Sequence, residues 1–344
     1  MKDVLDRNRR RLLTASAAAG GLLGSGALLS IGAHAAGRTK IDMQLGWLIG
    51  GNQIGEVVAK KQGYFEQENI DFSIQPGGPS IDGVAVVASG RHDVGQVSSS
   101  PSLMLAASQK IPVKCFATGL QQHPYTFFSL EKKPIRTPKD MVGKKIGIQA
   151  TGKILLTALL KKHNIPEKDV EVVVIGSDFA PLLTGQTDAV TGWLTSTTAI
   201  KGLGQPPVTL RLWDAGVQLY ALPLYATRDT LEKKAPMVAG FLKAMSKGYA
   251  FAQKEPEKAA DLLVKAYPNF KRDDELEGLK VLLKFAFNAN TKTNGWGAFD
   301  PKVWQDQITL YDELKQFTAG APKLDDVITT SILDATKDAR PRIG

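Results

Sequence analysis

Hydrophobic and polar positions recur along the chain with two different periods from position 40 onward. Residues 41–45 alternate apolar and polar side chains, which is typical of a half-buried strand. Residues 54–61 carry apolar side chains at helical spacing, and Gly63 ends that pattern. Further strands are predicted over 70–75, 93–97 and 113–118, and further helices over 80–89 and 101–109. Strands that alternate with helices in this way predict an α/β fold with mostly parallel sheets.

A second set of the same kind begins at position 145. Its strands are predicted over 145–148, 171–175 and 187–191, and its helices over 154–163, 179–184 and 196–203. Both sets contain a small residue, Gly, two further residues and Asp, at 89–93 and 184–188, before a strand that ends in hydroxyl residues. The recurrence of this pattern at the same place in two sets indicates two similar lobes.

After position 225 the chain becomes mainly helical, with helices predicted over 236–253, 256–266, 273–287 and 301–317. A helical tail that packs back on the first lobe would make that lobe discontinuous. The chain would then cross between the lobes near 121–125 and 218–225, and these crossings would form a hinge. The expected boundaries are 38–122 for the first part of lobe I, 123–223 for lobe II, and 224–340 for the second part of lobe I.

Residues 1–36 have the pattern of an export signal. Three consecutive arginines precede two leucines and a run rich in Ala and Gly, and Ala33 and Ala35 fit the small-x-small site of a signal peptidase. Paired arginines before a mildly apolar run are typical of a twin-arginine signal, with an ordinary secretory signal as the alternative. We therefore expect 1–35 to be a signal peptide and the remainder to be soluble in a bacterial periplasm.

Composition narrows the classes of function. The 344 residues are 43% hydrophobic and 22% charged, which suffices for one large or two medium domains. The net charge of +9 comes without a basic tail or an arginine-rich helix, so nucleic acid is not an expected partner. Cys115 is the single cysteine, which excludes an internal disulfide, an all-cysteine zinc site and an iron–sulfur cluster. We expect neither a metal nor a cofactor.

Catalytic motifs are missing from the sequence. It contains no Gly-x-Ser-x-Gly elbow, no phosphate-binding Gly-x4-Gly-Lys-Ser/Thr loop and no His-Glu-x-x-His. His123 lies near the proposed hinge, where a neutral structural histidine is the commoner occurrence. Cys115 lies in an apolar run and is predicted to be a small buried hydrophobe. An exported enzyme is the alternative of another class, and we expect the protein not to be an enzyme.

Binding elements are better represented. Four predicted strand-to-helix junctions, at 50–53, 98–101, 150–153 and 194–197, carry Gly, Ser, Thr or Asn. Backbone N–H groups and hydroxyls at such junctions can hold polar or anionic ligand groups, and each junction taken alone also fits a simple helix cap. In open α/β sheets, ligands bind in the crevice at the carboxyl ends of the strands. The candidate ligand-binding residues are Trp47, Asn52, Gln53, Gln75, Ser98, Ser99, Gln121, His123, Thr151, Trp193, Thr195 and Tyr220. The two tryptophans would stack on a flat ligand, and the others would form hydrogen bonds.

Several segments together resemble a known family. The stretches 46–47, 56–65 (Glu-Val-Val-Ala-Lys-Lys-Gln-Gly-Tyr-Phe) and 68–71 are similar to the first strand and helix of periplasmic solute-binding proteins of the thiamine-pyrimidine-precursor and nitrate/sulfonate/taurine group. The two Gly-x-x-Asp segments, the stretch 231–236 (Leu-Glu-Lys-Lys-Ala-Pro) and the pattern Asp-Pro-x-x-Trp at 300–304 extend the resemblance along nearly the whole chain after the signal.

The resemblance implies a fold and a function. The fold is the two-lobed α/β fold of type II periplasmic binding proteins, in which each lobe is a mostly parallel sheet flanked by helices and a helical C-terminal segment packs on lobe I. The function is to close on a small solute and deliver it to the permease subunits of an ABC importer at the inner membrane. We expect such a protein to be a monomer.

The ligand stays open at this point. Pyrimidine-binding members have a Pro-Asn-x-x-His stretch where this chain has Leu-Ile-Gly-Gly-Asn-Gln at 48–53. The aromatic residues favour a heterocycle such as a thiamine pyrimidine precursor. A sulfonate, taurine or nitrate held by helix N-termini and Lys153 is the alternative. Relatives that synthesise the pyrimidine depend on a cysteine-rich iron-binding stretch, which a chain with one cysteine does not have. The ligand-sensing domain of a transcription factor would need a helix-turn-helix segment, and none precedes position 40.

Overall fold

The computed structural model describes residues 37–343, so the predicted signal peptide lies outside the described residues. The strands within this range are β1 (Thr39–Leu45), β2 (Ile70–Gln75), β3 (Val94–Gln96), β4 (Val113–Leu120), β5 (Tyr125–Ser129), β6 (Lys145–Ile148), β7 (Glu171–Val174), β8 (Ala189–Trp193), β9 (Val208–Arg211) and β10 (Ala221–Thr227). The helices before β10 are α1 (Ile54–Lys61), α2 (Tyr64–Gln67), α3 (Gly83–Ala88), α4 (Pro101–Ser108), α5 (Lys153–Lys162), α6 (Ala180–Leu183) and α7 (Thr197–Lys201). Those after it are α8 (Arg228–Lys233), α9 (Ala235–Lys254), α10 (Pro256–Ala266), α11 (Arg272–Ala286), α12 (Ala289–Asn294), α13 (Pro301–Glu313), α14 (Leu324–Val327) and α15 (Ser331–Ala335). Short 3-10 turns lie at Gly51–Gln53, Pro138–Met141, Ala150–Gly152 and Glu167–Asp169.

The strands form two five-stranded sheets, each with four parallel strands and one antiparallel strand. The first sheet has the order β2-β1-β3-β10-β4, and β10 runs antiparallel to both of its neighbours. The second has the order β7-β6-β8-β5-β9, with β5 antiparallel to β8 and β9. Helices connect the parallel strands, as the geometry of parallel pairing requires. The predicted two-lobed α/β fold with mostly parallel sheets is therefore confirmed.

We define lobe I as β1–β4 and β10 with α1–α4 and α8–α15, and lobe II as β5–β9 with α5–α7. The chain passes from lobe I to lobe II between β4 and β5, through residues 121–124, and returns between β9 and β10, through residues 212–220. The antiparallel strand of each sheet is thus the strand with which the chain enters that lobe from the other. β10 includes positions on both sides of the 223/224 boundary expected from the sequence.

Three strands do not follow from the hydrophobic pattern. β5 and β10 are buried at almost every position, so their sequences lack the alternation that marks a half-exposed strand. Pro223 also interrupts the apolar run of β10. β9 is only four residues long and follows a Pro-Pro pair. The remaining strands and the long helices begin and end within a few residues of the predicted positions.

Close contact between α1 and α9 forms the centre of lobe I. A Cβ atom at Gly248 of α9 would lie 2.1 Å from the carbonyl oxygen of Gly55 in α1, so glycine is required at this crossing. The rings of Phe65 and Phe72 stack beside the crossing with centroids 4.0 Å apart, and Phe241 of α9 completes the cluster. The residues of α1 from position 54 to 59 are all buried, and α9 packs along this helix.

The C-terminal helices pack on lobe I, as predicted. Tyr249 of α9 stacks on Trp296 at 4.1 Å between ring centroids. The buried guanidinium of Arg340 donates hydrogen bonds to the carbonyl oxygens of Gly295, at 3.0 Å, and Trp296, at 2.6 Å, and so fastens the end of the chain to the same lobe. In residues 37–343 no helix combines the length and the apolar character needed to span a membrane.

Candidate ligand-binding site

A cavity of about 450 Å³ lies where the two lobes meet at the carboxyl ends of their parallel strands. Lobe I contributes the segment after β1, the turn at 51–53 and the segment after β3. Lobe II contributes the turn at 150–152 and the end of β8, and the first crossing contributes His123. The site therefore lies at the position where open α/β sheets bind ligands.

Eight of the twelve candidate residues line this cavity. They are Trp47, Asn52, Gln53, Ser98, Ser99, His123, Thr151 and Trp193. They come from both lobes and from the crossing, which brings together residues up to 146 positions apart in sequence. The four strand-to-helix junctions singled out in the sequence all contribute at least one lining residue.

The other four candidates lie elsewhere. Gln75 ends β2, an edge strand of the first sheet, and its amide donates to Ser73 Oγ at 3.2 Å. Gln121 and Tyr220 line a separate cavity of about 520 Å³, in which the Gln121 amide donates to the Ala298 carbonyl at 2.9 Å. Thr195 bonds Asn52, a cavity residue, from the opposite lobe. The expectation that these four side chains line the cleft is thus not what the structure shows.

The lobes contact each other at the edge of the cavity and on α11. Thr195 Oγ1 of lobe II donates to Asn52 Oδ1 of lobe I at 3.1 Å. Thr197 Oγ1 donates to the carbonyl oxygen of Asp274 at 3.2 Å, and Lys201 lies 3.6 Å from the Asp274 carboxylate. The last two contacts join α7 of lobe II to α11 of lobe I, whereas the Thr195–Asn52 bond joins the lobes at the cavity.

Aromatic rings from both lobes line the cavity. Trp193 and His123 meet edge to face with ring centroids 5.2 Å apart, and His123 lies 6.0 Å from Tyr125 in the same arrangement. Trp47 lies on the lobe I side. Trp193 is half-buried and packs against the hydrophobic core. These rings offer flat apolar surfaces to a ligand from both lobes.

His123 is locked as a neutral imidazole. Its Nδ1 accepts the backbone N–H of Tyr125 at 3.2 Å, so the proton resides on Nε2, which donates to Ser99 Oγ at 3.2 Å. Complete burial lowers the pKa of His123 to about 3. The ring therefore carries no charge near neutral pH, and both of its nitrogens are engaged within the protein.

A chain of hydrogen bonds extends from the cavity wall into lobe I. The backbone N–H of Gly50 donates to Gln53 Oε1 at 2.9 Å, Gln53 Nε2 donates to Gln96 Oε1 at 3.1 Å, and Gln96 Nε2 donates to Glu56 Oε1 at 2.8 Å. Gln53 and Gln96 both line the cavity, whereas Glu56 is fully buried behind them. Burial raises the pKa of Glu56 to about 7, against the lowering effect of the Gln96 hydrogen bond.

Charge is sparse around the cavity. Among its described lining residues, Asp82 alone has a side chain that is charged at neutral pH, and this carboxylate accepts the Ala85 N–H at 3.0 Å as the N-cap of α3. No lysine or arginine lines this part of the described structure, and Lys153 is exposed outside it. No group of three or more His, Cys, Asp or Glu within residues 37–343 is placed to hold a metal ion.

Several lining residues were not among the candidates. Gln96, Gln149, Tyr125 and Asp82 all line the cavity. Gln96 precedes the predicted hydroxyl run by two positions, and a polar residue at the end of an apolar strand is the signal that could have identified it. Gln149 follows β6 in the same way, where its amide donates to the Thr191 carbonyl at 2.7 Å.

The chain is similar to known proteins in sequence and in fold. The chain is 25% identical over 283 residues to the formylaminopyrimidine-binding protein of Halalkalibacterium halodurans, which covers 79% of this chain and 84% of the relative. It is 27% identical over 274 residues, 74% of this chain and 75% of the relative, to 4-amino-5-hydroxymethyl-2-methylpyrimidine phosphate synthase of Schizosaccharomyces pombe. The fold matches that of the alkanesulfonate-binding protein of Xanthomonas axonopodis pv. citri, bound to MOPS, with a TM-score of 0.62 and 16% identity over 86% of this chain and 100% of that chain. The model of the family described as NMT1/THI5-like matches residues 51–259, and the chain belongs to this family.

Proposed function

We propose that this protein is the solute-binding component of an ABC-type importer and that it captures a small aromatic heterocycle, such as an aminopyrimidine, between its lobes. The observation that carries the proposal is the cavity lining, in which two tryptophans and neutral amides and hydroxyls surround the space and no cationic side chain of the described residues is present. A flat neutral ring with polar substituents matches stacking surfaces and neutral hydrogen-bonding groups. The name of the relative from Halalkalibacterium halodurans supports the same ligand class.

A small anion fits the cavity less well. A sulfonate or nitrate would have to be neutralised by backbone N–H groups alone, because the nearby Lys153 is exposed and outside the lining. The Asp82 carboxylate would also face such a ligand from the same cavity. The likeness to the sulfonate-binding structure concerns the fold, and the charge of the cavity favours the neutral ligand.

Catalysis would need a base or a nucleophile that is free to act in the cavity. His123 has both ring nitrogens in hydrogen bonds within the protein. Cys115 lies in β4, where burial raises the pKa of its thiol and Sγ donates to the Ala117 carbonyl at 3.2 Å. A binding role needs only the stacking and hydrogen-bonding groups present, so we propose binding rather than synthesis for this member of the family.

Location and partners belong to the same proposal. The protein would be exported, lose residues 1–35, and act as a periplasmic monomer that presents its ligand to the permease. Residues 38–122 and 224–340 would move as one body and 123–223 as the other. The two crossings would act as the hinge, because they are the backbone connections between the lobes.

Native mass spectrometry of protein exported to a periplasm and purified gently tests the proposal. We expect a monomer with the mass of residues 36–344 and an adduct with the mass of an aminopyrimidine or a related ring. Calorimetric titration with 4-amino-5-hydroxymethyl-2-methylpyrimidine and with an alkanesulfonate then compares the two ligand classes. Tighter binding of the alkanesulfonate would overturn the heterocycle assignment, and turnover of the pyrimidine during the titration would overturn the binding role.

A further inference from the structure

The hydrogen-bond chain behind the cavity wall has one direction from end to end. Its first group, the Gly50 N–H, can only donate, and its last group, the Glu56 carboxylate, can only accept. Each of the two amides between them accepts with its oxygen and donates with its nitrogen. Both ends therefore require the same orientation of Gln53 and Gln96.

Glu56 has no other evident role in the structure. It is fully buried, its Oε2 has no hydrogen-bond partner among the described residues, and it forms no ion pair there. The titratable groups that face it are Tyr249 of α9, Tyr267 after α10 and, next to the turn at 51–53, Glu275 of α11. None of these is cationic. A buried carboxyl without a cationic partner destabilises a fold, so its presence beside a ligand cavity calls for a functional reason.

The unused N–H groups of the two amides indicate that functional reason. Each amide nitrogen carries a second N–H that is not used within the chain of hydrogen bonds, and both residues line the cavity. A reversed Gln96 would instead place its oxygen against the Glu56 carboxylate, where two acceptors repel each other. The carboxylate thus fixes which atoms of the wall can donate to a ligand.

We propose that Glu56 is a positioning residue for ligand specificity: it orients Gln96, and through it Gln53, so that the lobe I wall presents N–H donors to acceptor atoms of the ligand, such as ring nitrogens or a carbonyl oxygen. This inference rests on the proposed function and specifies its ligand class further. The hydrogen bonds of the chain all point toward the buried carboxylate, whose charge polarises the two amides and strengthens each bond.

Glu56→Gln is the informative variant because it keeps the shape of the side chain and replaces a carboxylate that can only accept with an amide that can also donate. A glutamine at position 56 can accept from Gln96 with its oxygen or, in the reversed arrangement, donate to it with its nitrogen. In the reversed arrangement the three side chains still bond one another and only the Gly50 N–H loses its acceptor, so part of the population no longer keeps the donors in place. We expect the affinity for an acceptor-bearing ring to fall about three- to tenfold, from this population effect and from the lost charge-assisted bond.

Protonation of Glu56 acts in the same sense as the substitution. A neutral carboxyl can donate from Oε1 to a reversed Gln96, so at acid pH only the Gly50 N–H still opposes the reversed orientation. With the pKa of Glu56 raised to about 7, the ratio of the Kd of the variant to that of the wild type should increase between pH 6 and pH 8. Taking this ratio cancels the protonation of the ligand itself.

The test uses two ring probes on the wild type and on Glu56→Gln by calorimetry. One probe is 4-amino-5-hydroxymethyl-2-methylpyrimidine, and the other is 2-amino-4-methylbenzyl alcohol, in which C–H groups replace both ring nitrogens. We expect the wild type to prefer the pyrimidine by roughly 10- to 100-fold, because a buried donor left unpaired is costly. Glu56→Gln should reduce this preference about three- to tenfold. Glu275→Gln, which lies near the same turn outside the hydrogen-bond chain, serves as the matched control and should leave the preference unchanged.

The outcomes separate the two proposals. An equal loss of affinity for both probes in Glu56→Gln, with a Kd ratio that does not vary with pH, would show a merely structural role and overturn the positioning role while leaving the proposed function intact. Equal affinity of the wild type for both probes would overturn the positioning role as well. Binding of neither probe by the wild type would overturn the proposed function, and the donor assignment with it.

Discussion

Glu56→Gln also makes the energetic effect of the buried carboxyl measurable. The pKa of Glu56 is raised from an ordinary 4.5 to about 7. At 1.36 kcal/mol for each pKa unit, the difference corresponds to about 3 kcal/mol of folding free energy. Because the folded pKa is the higher one, the folded state binds the proton more tightly than the unfolded chain does. The stabilisation by the protonated group is complete below pH 4.5 and is lost as the pH rises through about 7.

Urea unfolding followed by circular dichroism at half-unit intervals from pH 4.5 to pH 8 measures this contribution. The free energy of unfolding of the wild type should fall by about 3 kcal/mol relative to that of Glu56→Gln across this range. The difference curve, defined as the free energy of unfolding of the variant minus that of the wild type, should therefore rise with pH. The exposed Glu232→Gln is a matched control, whose difference curve should stay within about 0.5 kcal/mol. A flat curve for Glu56→Gln would refute the raised pKa, and a falling curve would mean that a cation stabilises the carboxylate.

Two further substitutions test the site and the fold. Trp193→Ala should weaken binding of the pyrimidine probe about 30-fold or more in calorimetry, because a stacking surface is removed, while stability changes by at most about 1 kcal/mol. Tyr64→Ala, at a partly buried aromatic residue of α2 that lines neither cavity, should leave the affinity unchanged, and an equal loss of stability and affinity in Trp193→Ala would make Trp193 a core residue. Gly248→Ala should lower the urea midpoint by the equivalent of about 2–4 kcal/mol, because its Cβ would clash with the Gly55 carbonyl. Gly176→Ala, where the atom nearest to an added Cβ lies 3.6 Å away, should leave the urea midpoint unchanged. An unchanged midpoint in Gly248→Ala would show that α1 and α9 can move apart without a loss of stability.

The parallel part of each sheet could be predicted because its strands and helices show clear periodicity. β1 alternates, α1 has a continuous apolar face, and the Gly-x-x-Asp pattern marks the same place in both lobes. The antiparallel strands could not be predicted in this way. β5 and β10 are covered on both faces, and what identifies them as strands is pairing with β8 and β9 or β3 and β4, which lie far away in sequence.

The candidate site was predictable at the strand-to-helix junctions and less so around them. Ser98 and Thr151 lie where the crevice rule places them. Gln121 and Tyr220 belong to the crossings, and a crossing has two sides, so sequence position alone does not decide which cavity a side chain enters. Glu56 could not be found from the pattern, because position 56 belongs to the helix face that the hydrophobic spacing leaves polar, whereas the fold buries this side chain against Gln96 of β3.

The proposed closure of the lobes on a ligand is consistent with the kinds of contact between them. Lys201 is half-exposed, and exposed ion pairs such as those it forms with Asp274 and Glu277 of α11 contribute less than about 1 kcal/mol each. The Thr195–Asn52 hydrogen bond exchanges with water when the lobes separate, so its net contribution is also about 1 kcal/mol. The Lys161 ammonium of lobe II also donates to the Leu314 carbonyl of lobe I at 2.9 Å. We expect polar contacts of this strength to leave the open and closed states close in free energy. The proposed ligand, stacked on Trp193 of lobe II and bonded to the amides of lobe I, would contact both lobes at once. Its differential affinity for the two states would then decide the equilibrium, and separation of the lobes would release it.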